Sequence, residues 1–272
     1  MTISVESDGV QRMFARIAEN ARIRTDKARG YGSTCTGCYG SGWLSETQTC
    51  GCDLGRAVHV LRSEPIADRW VASKGAECGI PPRYADARLH NIGDSPQVRE
   101  VHAWASGTPL SSGKGIYMHG PFGRGKTYLL AGALHHLLAQ HVTVDYRGKA
   151  ENRRWRGMRF VTSTDMLQSL RPGNGDTDDN LYRYQSVALL MIDDIGVERL
   201  TDWGAESMFS IISSRHNALL PTLITSNYTL GQLAKRINEQ VGGVMGFRIT
   251  ERLHECCEVI AFSNDDPNWR RM

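Results

Sequence analysis

The sequence predicts an α/β fold in which a parallel sheet is covered by helices on both faces and is preceded by a small cysteine-containing domain. Two observations predict the sheet: from about residue 111 short apolar runs alternate with helix-like segments, and the first run leads into a glycine-rich loop. The cluster of cysteines at 35–52 predicts the small domain. We therefore divide the chain into an N-terminal domain at 1–65, a linker and lead-in at 66–110, and the α/β domain at 111–272.

The composition is that of an ordinary water-soluble protein. The chain has 272 residues, of which 40% are hydrophobic and 22% charged, and its net charge of +3 is too small to indicate nucleic-acid binding by itself. No apolar signal segment opens the sequence, and the apolar run at 188–192 is far too short to span a membrane, so we expect a cytoplasmic protein without membrane contact. Thiols stay reduced in the cytoplasm, and seven cysteines is an odd number, which argues against a disulfide framework.

An amphipathic helix is predicted near the start of the chain, over residues 7–24. Its N-cap would be Ser7 or Asp8, and its apolar side chains recur at helical spacing. They are Val10, Met13, Phe14, Ile17 and Ala21. Because an isolated helix gains little stability without burial, this stripe either packs on the cysteine-containing segment or docks on a partner.

The clustered cysteines have the spacing of a structural zinc site. A C-x-x-C pair and a C-x-C pair can complete a tetrahedral Cys₄ site, and the glycines between them permit tight turns. The predicted zinc ligands are Cys35, Cys38, Cys50 and Cys52. If one thiol of the tighter pair does not reach the metal, His59 is the alternative fourth ligand. A redox pair is disfavoured because no βαβ pattern lies nearby.

The remaining three cysteines do not share this spacing. We expect Cys78, Cys256 and Cys257 to be buried as small apolar side chains.

A phosphate-binding loop is predicted at residues 120–127, where the sequence GPFGRGKT follows a short apolar strand and precedes a helix. Glycines let backbone N–H groups surround the phosphates, Lys126 would reach the β- and γ-phosphates, and the Thr127 hydroxyl would bind Mg²⁺. The helix should begin at Lys126, which aims its N-terminal dipole at the phosphates. The predicted nucleotide-contacting residues are Gly120, Pro121, Phe122, Gly123, Arg124, Gly125, Lys126, Thr127 and Tyr128.

Two carboxylates follow the second predicted strand, in ALLMIDD at 188–194. A continuous apolar run is typical of a buried parallel strand, and ligands bind at the carboxyl ends of such strands. Asp193 is therefore the predicted second ligand of Mg²⁺. Asp194 is expected either to activate the attacking water or to be a hydrogen-bonded carboxylate at the strand end. Its side chain is one methylene shorter than that of a glutamate, so hydrolysis of a bound nucleotide is expected to be slow or to use Glu198 instead.

A third strand, PTLITSN at 221–227, ends in polar residues. Its order after the first two strands places Asn227 beside the γ-phosphate, where its amide could orient the attacking water.

These motifs resemble those of AAA+ ATPases, and more narrowly those of helicase loaders of the DnaC/DnaI type. The resembling stretches cover roughly 79–272 and occur in the order of the family. They are IPPRYADARLHNI, GPFGRGKTYLLAG, LLMIDDIGVE, LITSNYTLGQL and FRITERLHECCEVIAF. Transposition helpers of the IstB type share much of this core. DnaI-like loaders also carry a comparable zinc-binding module in their helicase-interacting half.

The resemblance implies roles for further residues. Asn227 is placed as sensor 1, and Arg252 as an arginine finger that reaches the γ-phosphate held by a neighbouring subunit. Arg270, with Arg271 adjacent, falls near the sensor 2 position. If Arg252 acts in trans, the enzyme works only as an oligomer that assembles with ATP. From composition alone, each of these arginines would be read as a surface ion pair.

Single-stranded DNA is the predicted ligand of two segments. The stretch RGKAENRRWRGMR at 147–159 combines basic side chains with Trp155, a pattern that can track phosphates and stack a base, although a solvated basic loop reads the same way. The segment 170–184 is expected to be a mobile loop, with Tyr182 and Tyr184 facing the same DNA.

The function implied by the resemblance is ATP-dependent loading of a DnaB-type hexameric helicase onto single-stranded DNA, with ATP, Mg²⁺ and Zn²⁺ as cofactors. Residues 1–65 would grip the helicase. Two alternatives are an IstB-like transposition helper, which would bind duplex DNA and a transposase, and an adaptor that binds nucleotide without hydrolysing it.

Overall fold

The computed structural model describes residues 43–45, 48–49, 67–108, 110–140, 142–144, 150–151, 157–173 and 177–266. The chain divides into two compact units. The smaller comprises residues 1–68 and 143–151, and the larger comprises residues 69–142 and 152–272.

Among the residues that the structure describes, the smaller unit contains two short antiparallel strand pairs. Strands β1 (Trp43–Ser45) and β2 (Gln48–Thr49) form the first, in which Trp43 pairs with Thr49. Strands β4 (Thr143–Val144) and β5 (Ala150–Glu151) form the second. The predicted helix at 7–24 and the predicted zinc ligands, Cys35, Cys38, Cys50, Cys52 and His59, lie outside the described residues.

The larger unit is built on a five-stranded, fully parallel sheet, as the sequence predicts. Its strand order is β6-β7-β8-β3-β9, with all neighbours parallel. The strands are β3 (Gly115–His119), β6 (Met158–Thr162), β7 (Leu189–Ile195), β8 (Thr222–Ser226) and β9 (Cys257–Ala261). Since β3, β7 and β8 are neighbours, the polar residues that end these strands meet at one edge of the sheet.

Helices cover both faces of this sheet, and alternate strand residues point to opposite faces. The helices are α1 (67–77), α2 (Pro96–Gly107), α3 (Lys126–Ala139), α4 (Ser163–Ser169), α5 (Thr177–Ser186), α6 (Asp202–Asn217), α7 (Leu230–Val241) and α8 (Met245–Cys256). Met118 of β3 packs with α1, α2 and α3 on one face, whereas Tyr117 packs with α4 to α8 on the other. Two layers of helices therefore hold in place the sheet edge at which these polar residues meet.

Residues 69–110 belong to the larger unit. The sequence predicts a linker and lead-in over 66–110, with the α/β domain starting at 111. In the structure, Val71 of α1 and Val101 and Trp104 of α2 are buried in the core beside α3. This burial ties both helices to the sheet.

The prediction of a mobile loop over 170–184 is wrong from Thr177 onward, where α5 begins. Tyr184 is buried against α6, and its hydroxyl lies 3.1 Å from that of Ser169, so it does not face DNA. Tyr182 is exposed. Cys78 and Cys257 are buried as predicted, and Cys256 is partly exposed.

None of the helices in the part of the chain that the structure describes is long and apolar enough to cross a bilayer.

A buried guanidinium ties α6 to the sheet. The side chain of Arg215 is almost fully buried. It donates hydrogen bonds to the hydroxyl of Thr222 at 2.9 Å and to the carbonyls of Tyr184 at 3.1 Å, Val187 at 2.7 Å and Pro221 at 2.7 Å. The fork of donors on arginine supplies hydrogen bonds to three backbone carbonyls, of which that of Pro221 also accepts from the Leu190 N–H at 3.4 Å.

Arg215→Met keeps the apolar stem and removes these donors. We expect it to lower the free energy of unfolding by about 3 kcal/mol, because three backbone carbonyls and the Thr222 hydroxyl each lose a hydrogen bond. Urea denaturation measures the change. Arg99→Met is the matched control, since Arg99 forms an exposed ion pair with Asp94, and it should change stability by less than about 1 kcal/mol. Equal effects of the two substitutions would contradict the structural role of Arg215.

Candidate nucleotide-binding site

The loop at 120–125 has the backbone that phosphate binding requires. Gly120, Gly123 and Gly125 have φ values of 138°, 78° and 79°, in the region that glycine tolerates and other residues avoid. Helix α3 begins at Lys126, as predicted. Its N-cap, Gly125, supplies no side-chain acceptor, so the first-turn N–H groups are left for an anion.

Lys126 lies inside this loop, buried except for 7% of its surface. Its ammonium group donates to the carbonyls of Gly120 at 2.7 Å and Pro121 at 2.9 Å, and to Oδ1 of Asn227 at 3.1 Å. The structure therefore brings together two predicted site residues, Lys126 at the start of α3 and Asn227 directly after β8. A nucleotide phosphate would offer Lys126 charged oxygens in place of these neutral acceptors.

The two predicted ligands of Mg²⁺, Asp193 and Thr127, lie within hydrogen-bond distance of each other. The Thr127 hydroxyl donates to Oδ1 of Asp193 at 3.0 Å, and the Thr225 hydroxyl donates to the same oxygen at 2.6 Å. Burial raises the pKa of the Asp193 carboxyl, while hydrogen bonds from Thr225 and Thr127 oppose the rise. A desolvated carboxylate beside a hydroxyl suits Mg²⁺, which takes few protein oxygens and keeps the rest of its shell for water and phosphate.

Within the described ranges, no group of three or more His, Cys, Asp or Glu side chains could hold a metal ion. A magnesium site of this kind needs no such group, because one carboxylate and one hydroxyl suffice when the nucleotide provides further oxygens.

Asp194 has an unusual backbone that turns its side chain toward the site. Its φ is 62°, in the left-handed region. Between paired positions, β7 advances three residues, from Ile192 to Ile195, while β8 advances two, from Ile224 to Ser226, so β7 carries one extra residue here. The Asp194 carboxylate accepts a hydrogen bond from Nδ2 of Asn227 at 3.0 Å.

Glu198, the second candidate base, is turned away from this arrangement. Its Oε2 accepts hydrogen bonds from the Ser163 hydroxyl at 2.7 Å and from the Gly196 N–H at 3.0 Å. The glutamate therefore stabilises the turn after β7. Of the two candidates, Asp194 is the one that the structure brings to Asn227.

Thr225 joins the two halves of the site and is a residue that sequence reasoning missed. Its hydroxyl donates to Asp193 and accepts from the Asp194 N–H at 2.8 Å. A continuous network thus runs from Lys126 through Asn227, Asp194, Thr225 and Asp193 to Thr127. The available signal was the i, i+2 spacing of Thr225 and Asn227 at the polar carboxyl end of the run PTLITSN, since residues two apart in an extended chain point to the same side.

The other predicted nucleotide contacts flank this network. Phe122 is exposed at the loop, with 74% of its surface accessible. The Tyr128 hydroxyl donates to the Asp86 carbonyl at 3.2 Å. Arg124 reaches back to the Asp266 carbonyl at 2.7 Å.

Arg252 is not part of the network. It lies on α8, partly buried, and its Nε has no hydrogen-bond partner in the part of the chain that the structure describes. Arg270, Arg271 and Trp155 lie outside the described residues.

Known proteins resemble this chain in sequence. The replicative helicase loader DnaI of Bacillus subtilis is 26% identical over 148 residues, which cover 52% of this chain and 43% of that protein. An ATP-binding protein in an insertion sequence of Mycobacterium tuberculosis is 30% identical over 120 residues, which cover 43% of this chain and 42% of that protein. The match thus spans less than half the length of either relative.

The fold is also similar to that of a solved structure. The DnaC helicase loader superposes with a TM-score of 0.51 at 26% sequence identity, covering 67% of this chain and 99% of that one. The predicted AAA+ fold of the DnaC/DnaI type is thereby confirmed. The family of IstB-like ATP binding proteins matches residues 90–271, which make up more than half of the chain and include every residue of the network. The chain therefore belongs to the IstB-like ATP binding protein family.

Proposed function

We propose that this protein is an ATP-dependent loader of a DnaB-type hexameric replicative helicase. The observation that carries the ATPase part is the continuous network from Lys126 to Thr127, which gathers a phosphate ligand, a metal-binding pair and a carboxylate base. The loader part is supported by the similarity to proteins named as helicase loaders.

The five residues of the network that the sequence predicts each have a role in the proposed hydrolysis. The loop N–H groups and Lys126 would bind the phosphates of ATP, and Thr127 and Asp193 would hold Mg²⁺, which neutralises phosphate charge. Asp194 would accept a proton from the attacking water. Asn227, already bonded to Lys126 and Asp194, would orient that water between the carboxylate and the γ-phosphate.

Arg252 is proposed to complete the site of a neighbouring subunit. A guanidinium that enters from outside stabilises the charge that develops on the transferred phosphoryl group. The separation of Arg252 from its own network supports a role in trans. ATP hydrolysis would then depend on self-assembly.

Zinc binding by the N-terminal cysteines is supported by the first strand pair, β1 and β2. Trp43 and Thr49 are paired, and Cys50 directly follows Thr49. The C-x-x-C and C-x-C pairs therefore flank a hairpin in the sequence, an arrangement that shortens the loop a Cys₄ site has to close. This zinc-binding segment, within residues 1–65, is the proposed grip on the helicase.

Single-stranded DNA is the proposed ligand of the assembled ATPase. The basic segment 147–159, with Trp155, supplies charge and a stacking surface in the sequence. Tyr182, exposed on α5, is a further candidate for stacking on a base.

A second candidate function is that of a transposition helper, which would act with a transposase on duplex DNA. The observation that favours it is the similarity to an ATP-binding protein of an insertion sequence.

Mixing two inactive variants tests the hydrolytic roles together. Asp194→Asn should remove the base and Arg252→Ala the finger, and each should lower ATP turnover at least about a hundredfold while ATP binding persists. In a mixture, some interfaces pair an intact Arg252 with an intact Asp194, so turnover should recover in part. Glu198→Gln is the matched control and should retain turnover.

Failure to recover in the mixture would contradict the trans role of Arg252. Absence of turnover in the unmodified protein, with ATP bound, would support the adaptor that binds nucleotide without hydrolysing it.

Native mass spectrometry of the full chain mixed with the host's replicative helicase tests the loader. We expect an ATP-dependent complex and about one zinc per chain. Cys38→Ser should lose both the zinc and the complex while ATP binding stays normal, and Cys78→Ser serves as the control for cysteine replacement.

A complex formed by metal-free protein would refute the zinc grip. If the protein forms no complex with the helicase but does form one with a transposase and duplex DNA, it functions as a transposition helper.

A further inference from the structure

The chain after β9 packs directly against the phosphate loop. The Phe262 N–H donates to the His119 carbonyl at 2.7 Å, where β3 ends. At Gly120 a Cβ atom would lie 2.2 Å from the Phe262 carbonyl oxygen, so only glycine permits this approach. Residues 262–266 therefore form a support behind the first glycine of the loop.

Asp266 connects this support to two other parts of the larger unit. Nε2 of Gln97, on the first turn of α2, lies 3.2 Å from both carboxylate oxygens of Asp266 and donates to the Ala261 carbonyl at 3.1 Å. The Ser263 N–H donates to the same carboxylate at 2.5 Å. The backbone carbonyl of Asp266 accepts the hydrogen bond from Nη1 of Arg124.

The Arg124 contact matters because of where this residue sits. It lies between Gly123 and Gly125, both with positive φ, in a loop whose glycines have many accessible conformations. Phosphate binding requires one conformation, with the N–H groups converging on a single point. A side chain in the middle of the loop that is anchored outside it reduces the number of competing conformations.

We propose that Gln97, Asp266 and Arg124 form a clasp of positioning residues that holds the phosphate loop in its nucleotide-binding conformation. Gln97 orients the Asp266 turn, and the carbonyl of that turn holds Arg124. The proposal rests on nucleotide binding at Lys126, which is part of the proposed function, and is independent of any helicase or transposase.

A double-mutant cycle on ATP affinity tests the clasp, with a non-hydrolysable ATP analogue and Mg²⁺ as the probe. Gln97→Ala and Arg124→Ala should each weaken binding by about three- to tenfold, as expected for one lost hydrogen bond. Because both residues act through Asp266, the double variant should bind the ATP analogue no more weakly than whichever single variant has the lower affinity. Arg124→Lys, which keeps a donor, should retain part of the affinity.

The matched control is Gln140→Ala. Gln140 also bonds to α2, donating to the Ala105 carbonyl at 2.8 Å, but it lies at the far end of α3 from the loop. It should leave ATP affinity unchanged. If Gln97 served folding alone, Gln97→Ala would lower the melting temperature of the nucleotide-free protein, but its folded fraction would bind ATP normally. That result would overturn the clasp.

Two other results would also overturn it. Normal affinity in Gln97→Ala with weak binding in Arg124→Ala would mean that Arg124 contacts the nucleotide directly. Additive losses in the double variant would mean that the two residues act independently. Lys126→Ala separates the clasp from the site itself: if Lys126→Ala binds ATP normally, the assignment of the nucleotide site is wrong, whatever the clasp variants show.

Discussion

One hydroxyl, that of Thr225, links the Asp193 carboxylate to the backbone of Asp194, and the candidate site depends on both residues. It donates to Asp193 at 2.6 Å and accepts from the N–H of Asp194 at 2.8 Å. The first bond fixes the carboxylate that also receives the Thr127 hydroxyl. The second supplies a partner for a backbone group at the irregular point of β7, where a buried N–H would otherwise be destabilising. The hydroxyl therefore stabilises both the proposed metal-binding pair, Thr127 and Asp193, and the irregular strand.

The extra residue in β7 explains how the side chains of two adjacent aspartates can both reach the candidate site. Without the extra residue in β7, alternation along the strand would send Asp193 and Asp194 to opposite faces of the sheet. The left-handed backbone of Asp194, a conformation that costs about 1–3 kcal/mol, instead brings its carboxylate to Asn227, and through Asn227 to Lys126. Burial raises the pKa of Asp193, and the hydrogen bonds from Thr225 and Thr127 oppose that rise, so they favour the ionised carboxylate that a metal ion needs.

Much of the fold was predictable because apolar runs, glycines and carboxylates have strong local signals. The parallel strands, the start of α3 at Lys126 and the meeting of Thr127 with Asp193 follow from spacing alone. Thr225 was not predicted as a site residue, because threonine is common in strands as a β-branched residue. The sequence could not decide which of Asp194 and Glu198 is the candidate base. The structure distinguishes them, because Glu198 accepts a hydrogen bond from the Gly196 N–H. The helix α5 was missed because its polar first turn resembles a loop.

The most direct test is the Mg²⁺ affinity of the ATP complex of Thr225→Val, measured as a function of pH, with Thr225→Ser as the control that keeps the hydroxyl. Removing the hydrogen bond to Asp193 should raise the pKa of that carboxyl further, so protons compete with Mg²⁺ at higher pH. We expect Mg²⁺ affinity to fall about tenfold, in line with the loss of one hydrogen bond to a charged group, and its decline on acidification to begin at higher pH. Unchanged Mg²⁺ affinity and pH dependence in Thr225→Val would contradict the central role of this hydroxyl.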